Sequence, residues 1–409
     1  MKRLLSVALG ILTAIGGFVD IGDLVANALV GSRFGLSLVW ATLLGVVGIC
    51  LFAEMSGRVA AVTGRATFDL VRERLGPRAG LANLVASVLV TMLTFTAEIG
   101  GVALALELAT SVHYLLFVPA VGLAVWLIMW RVKFSVLENV FGLLGLSLIV
   151  FGVALWQLGP DWGDLMNQLA PSAKPEQEGW PVYFYYAIAL FGAAMTPYEV
   201  FFFSSGGVEE RWGVKDILTS RINVFVGFPL GGLLSVAIAA CCAVVYLPLD
   251  IQVDSLAQVA LPVAVALGKL GLAVVILGFV AATFGAALET GLSTGYSIAQ
   301  YFGWQWGKFV RPREATRFHA VLLVATALAV TGVLTTADPI KVTEYSIVFS
   351  AVALPLTYLP ILIIANDRDY MGKHVNGRLA NLLGTIFLGI LLVVSVAAIP
   401  LMLWTKAGQ

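Results

Sequence analysis

The stretch Gly16-Gly17-Phe18-Val19-Asp20-Ile21-Gly22-Asp23 lies in the middle of an apolar run that is long enough to cross a lipid bilayer. A charged side chain at the centre of a membrane costs about 2.5 kcal/mol or more, so it usually faces a cavity and has a function. Glycines let a helix unwind, and an unwound backbone is tolerated in a membrane only where it lines a site or is buried in protein. The stretch therefore predicts a broken membrane helix that binds a cation.

The composition of the whole chain is that of a membrane protein. Of its 409 residues, 60% are hydrophobic and 12% are charged, and the mean hydropathy is +0.95. Apolar runs of about 20 residues between short charged loops are typical of a polytopic α-helical membrane protein. No basic tail indicates nucleic-acid binding, and no motif indicates an obligatory protein partner or an enzyme. Cys50, Cys241 and Cys242 lie inside apolar runs, as small core residues do.

Eleven membrane spans are expected, of which the first and the sixth are broken. They cover residues 4–31, 36–62, 79–110, 114–131, 134–157, 181–209, 217–246, 262–302, 315–335, 343–365 and 378–404. With the N-terminus inside, nineteen of the 24 Lys and Arg residues fall in cytoplasmic segments and five fall outside. Because cytoplasmic loops are enriched in Lys and Arg, this distribution predicts a plasma-membrane protein with a cytoplasmic N-terminus and an extracellular C-terminus.

A second interruption lies in the sixth span, in Gly192-Ala193-Ala194-Met195-Thr196-Pro197-Tyr198-Glu199. Pro197 lacks a backbone donor and clashes with the preceding turn, so the helix must kink or unwind there. Broken helices thus begin spans one to five and spans six to ten, and five spans per half place the halves in opposite orientations. This pattern is typical of inverted-repeat transporters, whose site lies at the broken helices. We expect one five-helix repeat over 1–158, an extracellular linker over 159–180, a second repeat over 181–366, and a cytoplasmic loop with an eleventh helix over 367–409.

The residues at the two breaks offer only oxygen ligands. We expect the metal site to combine three carboxylates, one hydroxyl and two freed backbone carbonyls, from Asp20, Asp23, Glu199, Thr196, Ile21 and Ala194. Oxygen ligands without Met, Cys or His select hard cations such as Mg²⁺, Mn²⁺ or Ca²⁺. Mg²⁺ dehydrates reluctantly and would keep several waters. The alternative for each acid is a structural role, in which it pairs with a helix N-terminus or a neighbouring donor.

Other polar residues in the apolar spans are secondary candidates. Glu98 and Glu289 lie deep in the third and eighth spans and are candidates for the pathway or for coupling to protons. Tyr198 has a polar tip that can line the pathway, although packing is the alternative for an aromatic side chain. Glu54, Glu107 and Glu138 lie nearer span ends and are expected to be structural, paired with Arg58 or Arg131.

These residues resemble the natural resistance-associated macrophage protein (NRAMP) family of divalent-metal transporters over nearly the whole chain. The resemblance implies a LeuT-like fold of inverted repeats that works by alternating access. It is carried by the first broken helix, the third helix, the sixth helix and the tenth helix with its exit loop. The matching segments are 16–23 with Thr63-Gly64-Arg65, Thr96-Ala97-Glu98-Ile99-Gly100, Gly192-Ala193 with Pro197 and Ser204-Ser205, and Ser346, Leu354-Pro355 and Met371-Gly372.

The departures from the family pattern concern the metal ligands. The first helix has Asp20-Ile21-Gly22-Asp23 where the family has Asp-Pro-Gly-Asn, and Thr196 replaces the family's Met ligand. Tyr198 and Glu199 replace a His and an Asn. Losing a thioether and gaining two carboxylates is similar to the prokaryotic NRAMP-related magnesium transporters, a branch that carries Mg²⁺ and Mn²⁺ with little or no proton coupling. Further departures are Phe203 for His, Phe95 for Asp and Ile347 for Gln.

The sequence therefore predicts an importer of Mg²⁺, and also of Mn²⁺, with the metal as substrate and with no cofactor. The histidines His113, His319 and His374 fall in loops or at span ends, so no proton relay through the membrane is expected. One alternative is a proton-coupled Mn²⁺/Fe²⁺ transporter of the same family. Another is an amino-acid or organic-solute permease of the same fold, although three acids at the breaks would repel a carboxylate substrate.

Overall fold

The computed structural model describes residues 11, 15, 18–170, 178–335 and 338–406. Within these ranges the chain is a bundle of helices, and none of the described residues lies in a strand. We number the α-helices in chain order. They are α1 (Ile21–Phe34), α2 (Val39–Thr63), α3 (Thr67–Leu75), α4 (Pro77–Thr110), α5 (Val118–Arg131), α6 (Phe134–Gly145), α7 (Val150–Leu158), α8 (Trp162–Asn167), α9 (Trp180–Ala194), α10 (Pro197–Glu209), α11 (Ile217–Ile222), α12 (Phe228–Tyr246), α13 (Leu256–Phe302), α14 (Thr316–Thr335), α15 (Pro339–Asn366), α16 (Arg368–Met371) and α17 (Arg378–Trp404).

The described helices agree with the predicted membrane spans. Nine helical stretches are long and apolar enough to cross a membrane, as judged by length and composition within the described part of the chain. The shorter apolar helix α5 follows the predicted fourth span, and α1 follows the second half of the predicted first span. Together they account for the eleven expected spans, and the prediction of an all-α polytopic membrane protein is confirmed.

Both predicted helix breaks are present. Phe18 is helical, Val19 and Asp20 are not, and α1 begins at Ile21 with Asp20 as its N-cap. Gly16 and Gly17, which the sequence placed in this break, lie outside the described residues. In the sixth span Met195 and Thr196 separate α9 from α10, whose first residue is Pro197. Proline at this position leaves no helical hydrogen bond unmade, because the first N–H groups of a helix have no partner in the helix.

Two segments differ from the expectation. The predicted eighth span extends into the longest helix, α13, where Gly268 has φ 65° and ψ −153° and bends the chain. A positive φ of this size favours glycine. Because the chain bends at Gly268, residues 256–267 form a helical segment separate from the rest of α13. The predicted linker 159–180 contains the short helix α8, capped by Asp161, whose Oδ1 accepts hydrogen bonds from the N–H groups of Gly163 and Asp164. Residues 171–177 of the linker lie outside the described ranges.

Close packing positions the half-helices around the breaks. A Cβ atom on Gly31 of α1 would lie 2.1 Å from the backbone oxygen of Ala239 in α12, so only glycine permits this approach. A Cβ on Gly192 of α9 would lie 3.1 Å from the backbone oxygen of Ile347 in α15. Small residues at helix contacts allow backbones in membranes to approach closely. The backbones around the breaks are therefore held by direct contact between helices.

A buried ion pair joins α2 to later parts of the chain. The Arg58 guanidinium donates from Nε and Nη2 to the two Glu54 oxygens, each over 3.0 Å, as the sequence predicted. Nη2 also donates to Asn376 Oδ1 over 2.6 Å, and Nη1 donates to the His374 backbone oxygen. Arg221 Nε donates to Glu54 Oε1 over 2.8 Å. This network connects the C-terminal part of α2 with α11 and with the loop before α17.

Candidate metal site

A small cavity lies between the two helix breaks. It is lined by residues of α1, α4, α9 and α15 together with Asp20 and Thr196 from the breaks themselves. Every polar side chain among these lining residues ends in an oxygen atom, and none of them carries nitrogen or sulfur. These polar side chains are Asp20, Thr94, Thr196, Thr343, Ser346 and Ser350.

Asp20 connects the first break to the second. Its side chain is buried, and Oδ1 accepts a hydrogen bond from the Asp23 N–H over 2.9 Å as the N-cap of α1. Oδ2 accepts from the Tyr198 hydroxyl over 3.2 Å. An N-cap side chain satisfies one of the N–H groups that a helix start leaves without a partner. Asp20 therefore lines the cavity and also has the structural role weighed as its alternative, and Tyr198 contacts it directly. Its role as a metal ligand stays a prediction.

Glu98 provides a second cap for α1. Its Oε1 accepts from the Ile21 N–H over 3.1 Å, although the two residues are 77 positions apart. The Glu98 side chain is fully buried, and Oε2 has no hydrogen-bond partner among the described residues. Two carboxylates thus meet the start of α1, one from the break that precedes it and one from α4. Sequence reasoning proposed Glu98 for coupling but missed this contact, because no local pattern indicates it.

Glu199 lies in the first turn of α10 and does not line the cavity. It is connected to the cavity through Thr196, whose Oγ1 donates to Glu199 Oε2 over 3.2 Å. An acidic residue in the first turn of a helix is stabilised by the helix dipole. The structure thus places Glu199 directly behind the Thr196 hydroxyl.

Asp23 also lies behind the cavity. Its Oδ1 accepts from the Asn27 amide over 3.3 Å and from the Ser235 hydroxyl over 3.4 Å, and Oδ2 has no partner among the described residues. The charges of Asp20 and Glu199 both act on the Asp23 carboxylate. Of the three acids, Asp20 alone lines the cavity.

The expected three-carboxylate ligand set is not assembled in this conformation. In the part of the chain that the structure describes, no three His, Cys, Asp or Glu side chains are grouped so that they could hold a metal ion. Asp23 and Glu199 instead accept hydrogen bonds from Asn27, Ser235 and Thr196, and such bonds offset the cost of burying a carboxylate. Their role as ligands stays a prediction.

Of the remaining predicted residues, Ile21 lines the cavity, whereas Ala194 and Glu289 do not. Ile21 is the first residue of α1, and Ala194 is the last residue of α9. A role for the carbonyl groups of these two residues stays a prediction. Glu289 is half-buried on α13, and its charge acts on Glu98 and Glu199, but it does not line the cavity.

Met195 is the one sulfur-bearing residue of the second break, and its thioether lies outside the cavity. The side chain is fully buried, and a Cβ on Gly48 of α2 would lie 2.5 Å from Met195 Sδ. The sulfur atom therefore packs against α2. Because soft thioether ligands favour soft metals, the position of Met195 leaves the cavity with hard ligands only.

Sequence reasoning missed most of the hydroxyl groups in the cavity. Thr343, Ser346 and Ser350 are three and four positions apart on α15, a spacing that places them on one face of a helix. That signal was available in the sequence. Thr94 of α4 had no such signal, because its place in the cavity depends on how α4 packs against α15. There its hydroxyl forms a hydrogen bond of 2.8 Å with Ser346.

The fold and the site together define the class of protein. A multi-pass helical bundle with two broken helices that meet beside a cavity is a membrane transporter of LeuT-like fold. Its backbone superimposes on a mutant of the Eremococcus coleocola manganese transporter with a TM-score of 0.74 at 17% identity, covering 99% of this chain and 94% of that chain. It also matches a nucleobase-cation-symport-1 family transporter in a closed conformation, with a TM-score of 0.62 at 16% identity over 97% of this chain and 92% of that chain.

The family follows from the sequence comparison. The model of the natural resistance-associated macrophage protein-like family matches residues 10–400, so the chain belongs to this family. The divalent metal cation transporter MntH of Levilactobacillus brevis is 24% identical over 404 residues, which cover 95% of this chain and 87% of that protein. Members of the family are transporters and not enzymes, and they carry metal as a substrate and not as a cofactor.

Proposed function

We propose that this chain transports divalent metal cations by alternating access and that its substrates are Mg²⁺ and Mn²⁺. The observation that carries the proposal is the cavity between the two breaks, whose polar side chains all end in oxygen. Oxygen ligands suit Mg²⁺ and Mn²⁺ and disfavour soft metals. The names of the relatives support divalent metal transport, and a matching solved structure is a manganese transporter.

The case for Mg²⁺ rests on the second break. Thr196 offers a hydroxyl to the cavity, and the neighbouring Met195 packs its sulfur against α2. Mg²⁺ has no affinity for sulfur and usually keeps several of its waters, which suits a cavity with one carboxylate and several hydroxyl groups. Asp23 and Glu199 lie behind the side chains that line the cavity. There they add negative charge, and they can approach the ion when the half-helices move.

The membrane potential supports transport into the cytoplasm, and the charge distribution supports the orientation of the chain. Cytoplasmic enrichment of Lys and Arg supports a plasma-membrane protein with its N-terminus inside and its C-terminus outside, and with the repeats 1–158 and 181–366 in opposite orientations. Moving one charge through 100 mV releases about 2.3 kcal/mol, so a divalent ion entering a negative interior gains about twice that amount. Uptake therefore needs no proton gradient.

Proton-coupled Mn²⁺ or Fe²⁺ transport is the second candidate. The observation that favours it is Glu98, whose Oε2 is buried without a hydrogen-bond partner among the described residues and could hold a proton. The absence of histidines from the described break segments argues for weak coupling at most.

Uptake into proteoliposomes that contain a pH-sensitive dye distinguishes the two candidates. We expect Mg²⁺ and Mn²⁺ to enter and to compete with each other, with little change of internal pH. Acidification in proportion to Mn²⁺ uptake, with Mg²⁺ excluded, would instead establish the proton-coupled candidate. Uptake of neither ion by a folded protein would contradict both.

A further inference from the structure

A row of hydroxyl groups on α15 shares the cavity with Asp20. Thr343, Ser346 and Ser350 all line the cavity and are at most 3% exposed. Their spacing places them on one face of the helix. The carboxylate of Asp20 and the hydroxyl of Thr196 line the same cavity from the two breaks. A molecule in the cavity can therefore meet a charge from the breaks and neutral hydroxyl groups from α15.

The Ser350 hydroxyl differs from the other hydroxyl groups that line the cavity, each of which has a hydrogen-bond partner. Buried threonines in helices typically donate to the carbonyl group four positions earlier, as Thr343 does to Pro339 over 2.9 Å and Thr326 does to Leu322 over 2.7 Å. Ser346 instead pairs with Thr94 over 2.8 Å. Ser350 Oγ has no hydrogen-bond partner among the described residues, although the side chain is only 3% exposed.

An unpaired buried hydroxyl needs an explanation. Leaving such a group without a partner costs about 1–3 kcal/mol, and few occur in native proteins. A bound water or ligand is one way to satisfy the group, provided that other polar groups share the same space. The cavity meets this condition, because Asp20, Thr196 and Ser346 line it together with Ser350.

We propose that Ser350, supported by Ser346, holds a water molecule of the partly hydrated cation and thereby favours Mg²⁺ over Mn²⁺. This inference rests on the proposed transport function and adds a residue that sets ion preference. A water on Mg²⁺ is a strong hydrogen-bond donor, and the neutral hydroxyl oxygen accepts a hydrogen bond from it without competing for the charge of the ion. Because Mg²⁺ dehydrates reluctantly, it depends on this acceptor more than Mn²⁺ does.

The test compares Ser350→Ala with Thr357→Val on the same helix. Thr357 is buried, does not line the cavity and contacts the Ala353 carbonyl group over 3.5 Å. Both variants are reconstituted in proteoliposomes, and the KM values for Mg²⁺ and Mn²⁺ uptake are measured. Loss of a partner that orients a ligand typically lowers metal affinity by roughly 10–100-fold. We expect Ser350→Ala to raise the KM for Mg²⁺ roughly tenfold and the KM for Mn²⁺ by less than about threefold, and Thr357→Val to change neither.

A stability measurement separates this role from a purely structural one. Removing a hydroxyl that has no protein partner is neutral or stabilising. We therefore expect the melting temperature of Ser350→Ala to equal or exceed that of the wild type. A melting temperature several degrees lower would identify a structural hydroxyl and would contradict the proposal.

The outcomes also separate this inference from the proposed function. Unchanged KM values in Ser350→Ala, or equal increases for both ions, would overturn the role of Ser350 while leaving metal transport intact. If the wild type transports neither ion, the proposed function fails and the role of Ser350 fails with it.

Discussion

The Tyr198 hydroxyl donates a hydrogen bond to Asp20 Oδ2 over 3.2 Å and so joins the two broken helices across 178 positions of sequence. Asp20 also caps α1, so its carboxylate is fixed from both breaks at once. At the other end of α1, Arg33 Nε donates to Glu178 Oε1 over 2.7 Å, just before α9. The segment from Asp20 to Arg33 is therefore linked to α10 at its start and to the residues just before α9 at its end.

Replacing Tyr198 tests whether its hydroxyl orients the Asp20 carboxylate. Tyr198→Phe removes the donor and keeps the buried ring. Because partners that orient a metal ligand usually strengthen metal affinity by 10–100-fold, we expect the KM for Mg²⁺ and Mn²⁺ uptake to rise roughly tenfold. Tyr183→Phe is the control, since the Tyr183 hydroxyl is buried but donates to the Ser37 backbone oxygen away from the cavity. An unchanged KM in Tyr198→Phe would show that the cap of α1 alone positions Asp20.

Changing the second break tests the basis of ion preference. Thr196→Met places a thioether at the cavity, and soft ligands favour Mn²⁺ and softer ions over Mg²⁺. We expect the ratio of Mn²⁺ to Mg²⁺ uptake at equal concentrations to rise roughly tenfold, equivalent to about 1.4 kcal/mol. Met195→Leu is the matched control, because its sulfur already lies against α2. A larger change of this ratio in Met195→Leu than in Thr196→Met would show that Met195, and not Thr196, determines the ion preference.

The buried network around Arg58 predicts a difference in stability. Arg58 is 5% exposed and pairs with Glu54, whereas the ion pair of Arg65 with Glu73 is about half exposed. Breaking a buried pair costs about 3 kcal/mol or more, and an exposed pair contributes at most about 1 kcal/mol. We expect Arg58→Met to lower the melting temperature by about 5 °C or more. Arg65→Met should change it little, and equal effects of the two changes would contradict the assignment of a buried network.

Asp69 predicts a pH dependence of stability outside the membrane spans. Burial raises the pKa of Asp69 from its usual 3.8 to about 6, despite the nearby charges of Arg65 and Arg72. The folded state then binds this proton more tightly than the unfolded state, so the contribution of Asp69 is most favourable below pH 3.8 and is lost as the pH rises through about 6. We expect Asp69→Asn to melt at a higher temperature than the wild type at pH 7.5, with the difference shrinking towards pH 4. A difference independent of pH would contradict the raised pKa.

Local signals in the sequence predicted the breaks and the ion pair. Pro197 and the buried acid Asp20 each mark a position where a membrane helix cannot continue unchanged, and both breaks are where these residues placed them. Glu54 and Arg58 are four positions apart on one helix, which is a local relationship as well.

Contacts between distant segments could not be predicted in the same way. The hydrogen bond from Ile21 to Glu98 depends on how α1 packs against α4, and no spacing encodes it. The positions of Asp23 and Glu199 outside the cavity depend on donors such as Ser235, which lies 212 positions from Asp23. The bend at Gly268 was missed because a single glycine in an apolar helix usually leaves the helix intact.

Direct binding of Mn²⁺ to the purified protein tests the central claim, that Asp20 is the carboxylate of a hard-cation site. The electron paramagnetic resonance signal of free Mn²⁺ is measured for the wild type, for Asp20→Asn and for the control Asp161→Asn, whose carboxylate is exposed and caps α8. We expect one bound Mn²⁺ per chain in the wild type and in Asp161→Asn, displaced by excess Mg²⁺, with binding at least about tenfold weaker in Asp20→Asn. Equal Mn²⁺ affinity in Asp20→Asn and the wild type, or no displacement by Mg²⁺, would contradict it.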